Sequence, residues 1–219
     1  MQKYVESLGY AKTPEAENGV KNIKQSDRRN AMVAQGRSAM NAAQYELAIQ
    51  HFKSALAMSP DDTTELMLKV CRVRVATNKA KRLLNEGKLV DAGKAVDEAL
   101  AIDPADKVAK QLGADILLAA KYEAMVEQAD EMRKKLKYRQ AGRTYRDAKK
   151  LIANSSISHD EIDQRIRDNE YENYLFKTRE AIEILNWVAA KANYAVLKKY
   201  NTKEVQEIGK YIEEHAPKN

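Results

Sequence analysis

The side chains best suited to acid–base or metal chemistry are His51, His159 and His215. They lie far apart, and none has a partner at triad or ligand spacing. His51 reads as a surface or half-buried helical residue, and His159 sits at a helix start. The acid pairs Asp61-Asp62 and Glu213-Glu214 read as ordinary helix-end carboxylates. There is no glycine-rich phosphate loop and no nucleophile elbow in the sequence. Cys71 is the single cysteine, which excludes an internal disulfide framework and a multi-cysteine zinc site. Its place in the run Leu66–Val70–Val73 makes it a small, buried apolar residue. These features predict a non-catalytic chain with no cofactor, metal or small-molecule substrate.

Charge is the other candidate for chemistry. The net +6 is local: residues 130–150 hold nine Lys/Arg against three acids, while the rest of the chain nearly balances. Arg133, Lys134, Lys135, Lys137 and Arg139 form the densest part, continuing through Arg143, Arg146, Lys149 and Lys150. Cations in the last turn of a helix complement its dipole, so part of this patch is structural. The remainder reads as a solvated face or as a site for an acidic partner or lipid headgroups. Nucleic acid is disfavoured, because no nucleic-acid motif accompanies the charge. Tyr138 and Tyr145 interleave with the bases, and Tyr145 is assigned to the core.

The elements that position these residues are helical. Apolar residues make up 44% and charged residues 32% of the 219, with eight glycines and four prolines, and no breaker lies between Gly142 and Gly209. No apolar run approaches the ~18–20 residues of a membrane span, and the start Met1-Gln-Lys-Tyr-Val does not read as a signal peptide. Residues 1–25 read as an arm or a short helix opened by Thr13-Pro14-Glu15 and ended by Asn18-Gly19. From about Ser26 a helix, a turn at Ala42–Gln44, a second antiparallel helix and a stop at Pro60 follow. Gly36, Ala48 and Ala55 let the backbones approach, and Phe52 and Leu56 fill the space between the pair and its neighbour. A capping box at Asp62–Glu65 opens the next helix, which Gly87 ends. Ala92, Val96, Ala99 and Pro104 then repeat the pattern, and AIQHFKSALAMSPDD overlays AGKAVDEALAIDPAD without a gap. Ala141, Tyr145 and Ala148 give a third unit, with Ala153 in place of the proline.

This spacing resembles the tetratricopeptide repeat, a helix–turn–helix unit of about 34 residues. The resemblance covers residues 26–155 with lengthened first helices, so the expected fold is all-α. Such arrays usually bind peptides on the surface formed by their first helices. The matching residues are Asn30, Arg37 and Asn41 in the first unit and Arg74, Asn78, Lys81 and Asn85 in the second. This polar, mildly basic set suits an extended backbone or acidic side chains. At the clamp positions of chaperone-binding members stand Val33, Arg37, Asn78, Glu123 and Glu127, of which only Asn78 agrees, so chaperone tails are disfavoured.

Ser158-His-Asp-Glu161 reads as a capping box for a very long C-terminal helix within 156–219. Its seam runs through Leu175, Thr178, Ile182, Leu185, Ala189, Ala192 and Val196, and Thr202 caps a short terminal helix, Glu204–His215. Trp187 is expected to pack, with Tyr171 and Tyr174 on a docking face. A repeat region followed by a long uncovered helix is similar to the N-terminal regions of some bacterial outer-membrane secretins of type IV pilus-like systems. That resemblance implies a periplasmic assembly fragment that meets the membrane only through a larger complex. The competing expectation is a free-standing cytoplasmic adaptor, or a nucleic-acid or acidic-surface binder using residues 133–150.

Overall fold

In a computed structural model that describes residues 14–155 and 158–217, all regular structure is helical. The helices are α1 (Pro14–Asn41), α2 (Tyr45–Met58), α3 (Asp62–Asn85), α4 (Leu89–Ile102), α5 (Lys107–Lys134), α6 (Tyr138–Leu151), α7 (Asp160–Glu183), α8 (Trp187–Leu197) and α9 (Lys203–His215), with a 3-10 turn at Lys198–Tyr200. The chain divides into two units, residues 1–116 and 117–219, with the boundary inside α5.

Four of the connections share one geometry. Ala43, Gly87, Leu136 and Leu185 each adopt a left-handed backbone, with φ of 58°, 71°, 57° and 58°. In each turn the left-handed residue's N–H donates to the carbonyl three residues back, that of Met40, Leu84, Arg133 or Ile182. The next N–H reaches five back, to Ala39, Leu83, Met132 or Ala181. This Schellman pairing satisfies carbonyls that the helix end leaves open and reverses the chain within three residues.

Packing follows the same register. Five residues after each left-handed position stands a buried alanine: Ala48, Ala92, Ala141 or Ala190. Nine residues after it stand Phe52, Val96, Tyr145 and Tyr194. Seven residues before it, Gly36, Ala80, Ala129 and Thr178 are buried on the facing helix. Small residues on both faces allow close approach, and the large one fills the gap. At Gly36 the fit is close: an added Cβ would lie 2.5 Å from the Phe52 ring. In the first unit, Ala39, Ala48, Phe52 and Cys71 form one cluster, and Ala80, Leu83, Ala92, Val96 and Leu112 another. In the second, Val126, Ala129, Ala141, Tyr145, Ile152 and Ile162 pack together. α9 covers α8, with Val205 and Ile212 buried and Gly209 leaving room for the Tyr194 ring.

Several expectations are corrected. Among the described residues the C-terminal stretch is not one very long helix: α7 ends at Glu183, and α8 begins at Trp187 after a reversal at Ile184–Asn186. Leu185 takes the left-handed turn position although it is not glycine, and Asn186 caps α8 by accepting from the Ala189 N–H at 3.1 Å. The proposed seam therefore divides: Thr178 is buried, whereas Leu185 is 68% exposed. The short helix starting at Pro14 does not stop at Asn18-Gly19 but runs on to Asn41, because one helical glycine costs only about 1 kcal/mol when no left-handed cap forms. The rest of the predicted arm, residues 1–13, lies outside the described residues. Asp61, not Asp62, caps α3. Ser158 does not complete a capping box: its hydroxyl accepts from the Asp160 N–H, and His159 occupies the cap position without a side-chain bond to the helix, its ring Nε2 lying 3.2 Å from the Ile152 carbonyl. Thr202 caps α9 as expected.

Candidate partner-binding surfaces

The second half of α1 and the start of α3 border an open groove of about 690 Å³ in the first unit. Asn30, Arg37 and Asn41 line it at helical spacing, together with Arg29, Thr63 and Thr64. Its rim is pinned at Asp61. That carboxylate accepts from the Thr64 hydroxyl and, at 2.8 Å, from the Thr64 N–H, and it pairs with Arg29 at 3.2 Å. The bonds from Thr64 hold the Asp61 carboxyl below its ordinary range, helped by Arg29 and Arg37. Arg29 is thereby committed to structure, although its Nε is buried without a partner. Arg37 makes no ion pair among the described residues and remains exposed. The groove thus offers amide donors and acceptors beside one available guanidinium.

On α3 the predicted set separates. Arg74 is half-buried and 3.7 Å from Asp106, so its charge is partly answered within the unit. Asn78, Lys81 and Asn85 are exposed further along the helix but are not part of the α1–α3 groove. Sequence spacing does not single out Arg29, Thr63 or Thr64 for this groove, and it gives Asp61 only as a helix-end carboxylate. Asp61, three residues before Thr64, was the available signal, read one position late.

In the second unit the basic cluster is not a uniform patch. Arg133 donates through Nε and Nη2 to Glu172, at 2.6 and 2.5 Å, and its pKa is raised by that bidentate partner. Lys134 pairs with Glu131 at 2.6 Å, Lys149 with Asp163 at 2.6 Å and Lys150 with Asp147 at 3.4 Å. Lys135, Lys137 and Arg139 are exposed and make no ion pair among the described residues. Glu123 and Glu127, the reversed clamp positions, line a separate cleft of about 430 Å³ with Tyr122, Asp130 and Arg165.

The Tyr145 ring is fully buried, and its hydroxyl donates to Asp130, which also receives Arg165. Burial, with the Asp130 carboxylate beside it, pushes the Tyr145 phenol up to about 12. Compared with family models, curated proteins and solved structures, the chain gives no match. No helix among the described residues is long and apolar enough to cross a membrane.

The remaining candidates are structural. Tyr171 is not on an open docking face: its hydroxyl donates to Glu204 at 2.8 Å, and its ring packs edge-on against Tyr200 at 5.1 Å. Trp187 is half-buried against the cluster of Ala181, Ala190 and Ile212. Burial raises the Cys71 thiol above its ordinary range.

Proposed function

We propose that this chain is a non-catalytic protein-interaction scaffold built from tetratricopeptide-like hairpins. Its binding element is the α1–α3 groove, and its ligand is an extended peptide carrying an acidic side chain. The observation that carries the reading is Arg37, exposed and without an ion-pair partner among the described residues. It stands between Asn30 and Asn41 in a groove whose opposite wall is held by the Asp61 cap. Asparagine amides satisfy the donors and acceptors of an extended backbone, and a guanidinium receives a carboxylate in a two-bond geometry. The repeat-like reading is supported by the four hairpins in one register, including the α7–α8 pair with Ala190, Tyr194 and Leu197 at the recurrent positions.

The similarity to secretin-associated regions depends on one long uncovered helix after residue 156. That stretch is α7, α8 and α9 here, so the scaffold reading stands without an envelope location.

Selection of short random peptides on the wild-type chain tests the proposal. Enrichment of Asp- or Glu-containing sequences that bind Arg37→Glu at least tenfold more weakly is expected, since a charge-assisted pair contributes on the order of 1.5–3 kcal/mol. Peptides that bind wild type and Arg37→Glu equally would place the ligand elsewhere.

A further inference from the structure

The second unit carries apolar side chains where a turn has no structural use for them. Leu136 and Leu185 occupy the left-handed positions of their turns and are 56% and 68% exposed. A left-handed backbone disfavours any residue with a Cβ, and the equivalent turns of the first unit use Ala43 and Gly87. Neither leucine recovers that strain through burial. Ile184 and Val188 flank Leu185 and are likewise exposed, so the α7–α8 turn presents a contiguous apolar tip.

Both turns face the same end of the unit, the α7–α8 turn standing further out than the α5–α6 turn. Arg133, in the last turn of α5, pairs with Glu172 on α7, and the Tyr138 ring is 5.9 Å from the Phe176 ring. From Phe176 the helix continues for about 12 Å to Ile184. Around the first tip stand Lys135, Lys137 and Arg139, exposed and without an ion pair among the described residues. Glu180 and Glu183 are exposed near the second, so the attractive charge belongs to the first tip.

We infer that the α5–α6 and α7–α8 turns form a docking edge for an anionic lipid surface, with Leu136 and Leu185 inserting and Lys135, Lys137 and Arg139 meeting the headgroups. Leu185 projects from an exposed turn, and Leu136, more than half exposed, stands at the edge of a shallow cleft. That cleft is otherwise lined by Tyr138 and by four charged residues, Asp130, Arg133, Lys134 and Glu172. A deformable interface with an apolar interior accepts projecting leucines, and its negative charge attracts adjacent cations. The inference concerns a different unit from the peptide groove and stands without it.

Flotation of the full chain with phosphatidylcholine vesicles, with and without phosphatidylserine, tests this edge. Binding is expected only with phosphatidylserine and is weakened by added salt. Leu136→Gly and Leu185→Gly should each reduce it about tenfold. Both variants should melt no lower than wild type, because glycine relieves the left-handed turn. The triple variant Lys135→Glu, Lys137→Glu, Arg139→Glu should lose on the order of a hundredfold. Wild type that fails to float, or glycine variants that float like wild type, would overturn the inference. So would leucine-dependent capture of an acidic peptide without flotation, which would make the edge a protein-docking surface.

Discussion

Substituting alanine for glycine at two helical positions should change stability in opposite directions. At Gly36 a new Cβ would lie 2.5 Å from Phe52 Cε1 and 2.7 Å from Cδ1, and the ring is fully buried. Moving that ring disturbs the cluster with Ala39, Ala48 and Cys71. Overpacking of this kind costs about 1–3 kcal/mol, offset by about 1 kcal/mol of improved helix propensity. Gly36→Ala is therefore expected to destabilise the first unit by up to about 2 kcal/mol. At Gly93, inside α4, the same Cβ meets nothing within 4 Å. Gly93→Ala should stabilise by about 0.5–1 kcal/mol through propensity alone. In urea unfolding, the two variants should have midpoints on the order of 1 M apart. Phe52→Leu in the Gly36→Ala background should give a coupling energy that favours the double variant, since the smaller side chain vacates the contact. Equal stability of the two single variants, or strict additivity with Phe52→Leu, would refute this account of the first hairpin.

Three further outcomes follow from the ionisable and polar groups. The Asp61 carboxyl is held below its ordinary 3.8, so its stabilising bonds are complete above that pH and lost as pH falls through the lower folded value. Asp61→Ala should weaken the first unit at neutral pH and flatten its acid unfolding followed by circular dichroism. Tyr145 is pushed up to about 12 from an ordinary 10, so its contribution is complete below pH 10 and declines as pH rises toward 12. Tyr145→Phe should remove that alkaline loss, read as a missing late step in tyrosinate absorbance. Asn169 is buried and donates to the Tyr138 carbonyl at 3.0 Å; Asn169→Ala should cost about 1–2 kcal/mol in thermal unfolding, and no change would show the bond to be dispensable.

The first two hairpins were legible because Pro60, Pro104 and Gly87 punctuate them and the Ala48–Phe52–Ala55 spacing recurs at Ala92–Val96–Ala99. The α7–α8 hairpin uses the same register, with Ala190, Tyr194 and Leu197, yet its turn is closed by a leucine. Apolar residues continue through Ile184, Leu185, Trp187 and Val188 without a glycine or proline, which hides the reversal. Asn186, a favoured cap residue, was the signal. At the candidate site, spacing located Asn30, Arg37 and Asn41, since residues at such intervals share one helix face. It could not show that Arg133 is answered by Glu172, a carboxylate 39 residues away, or that Arg74 faces Asp106. Such pairings are set by how hairpins stack, and composition records only the charges.

Backbone amide shift mapping of the full chain with a selected acidic peptide tests the scaffold function most directly. Perturbations at Asn30, Arg37, Asn41, Thr63 and Thr64, lost in Arg37→Glu, are the expected result. Shifts confined to residues 117–217, or unchanged by Arg37→Glu, would contradict binding in the α1–α3 groove.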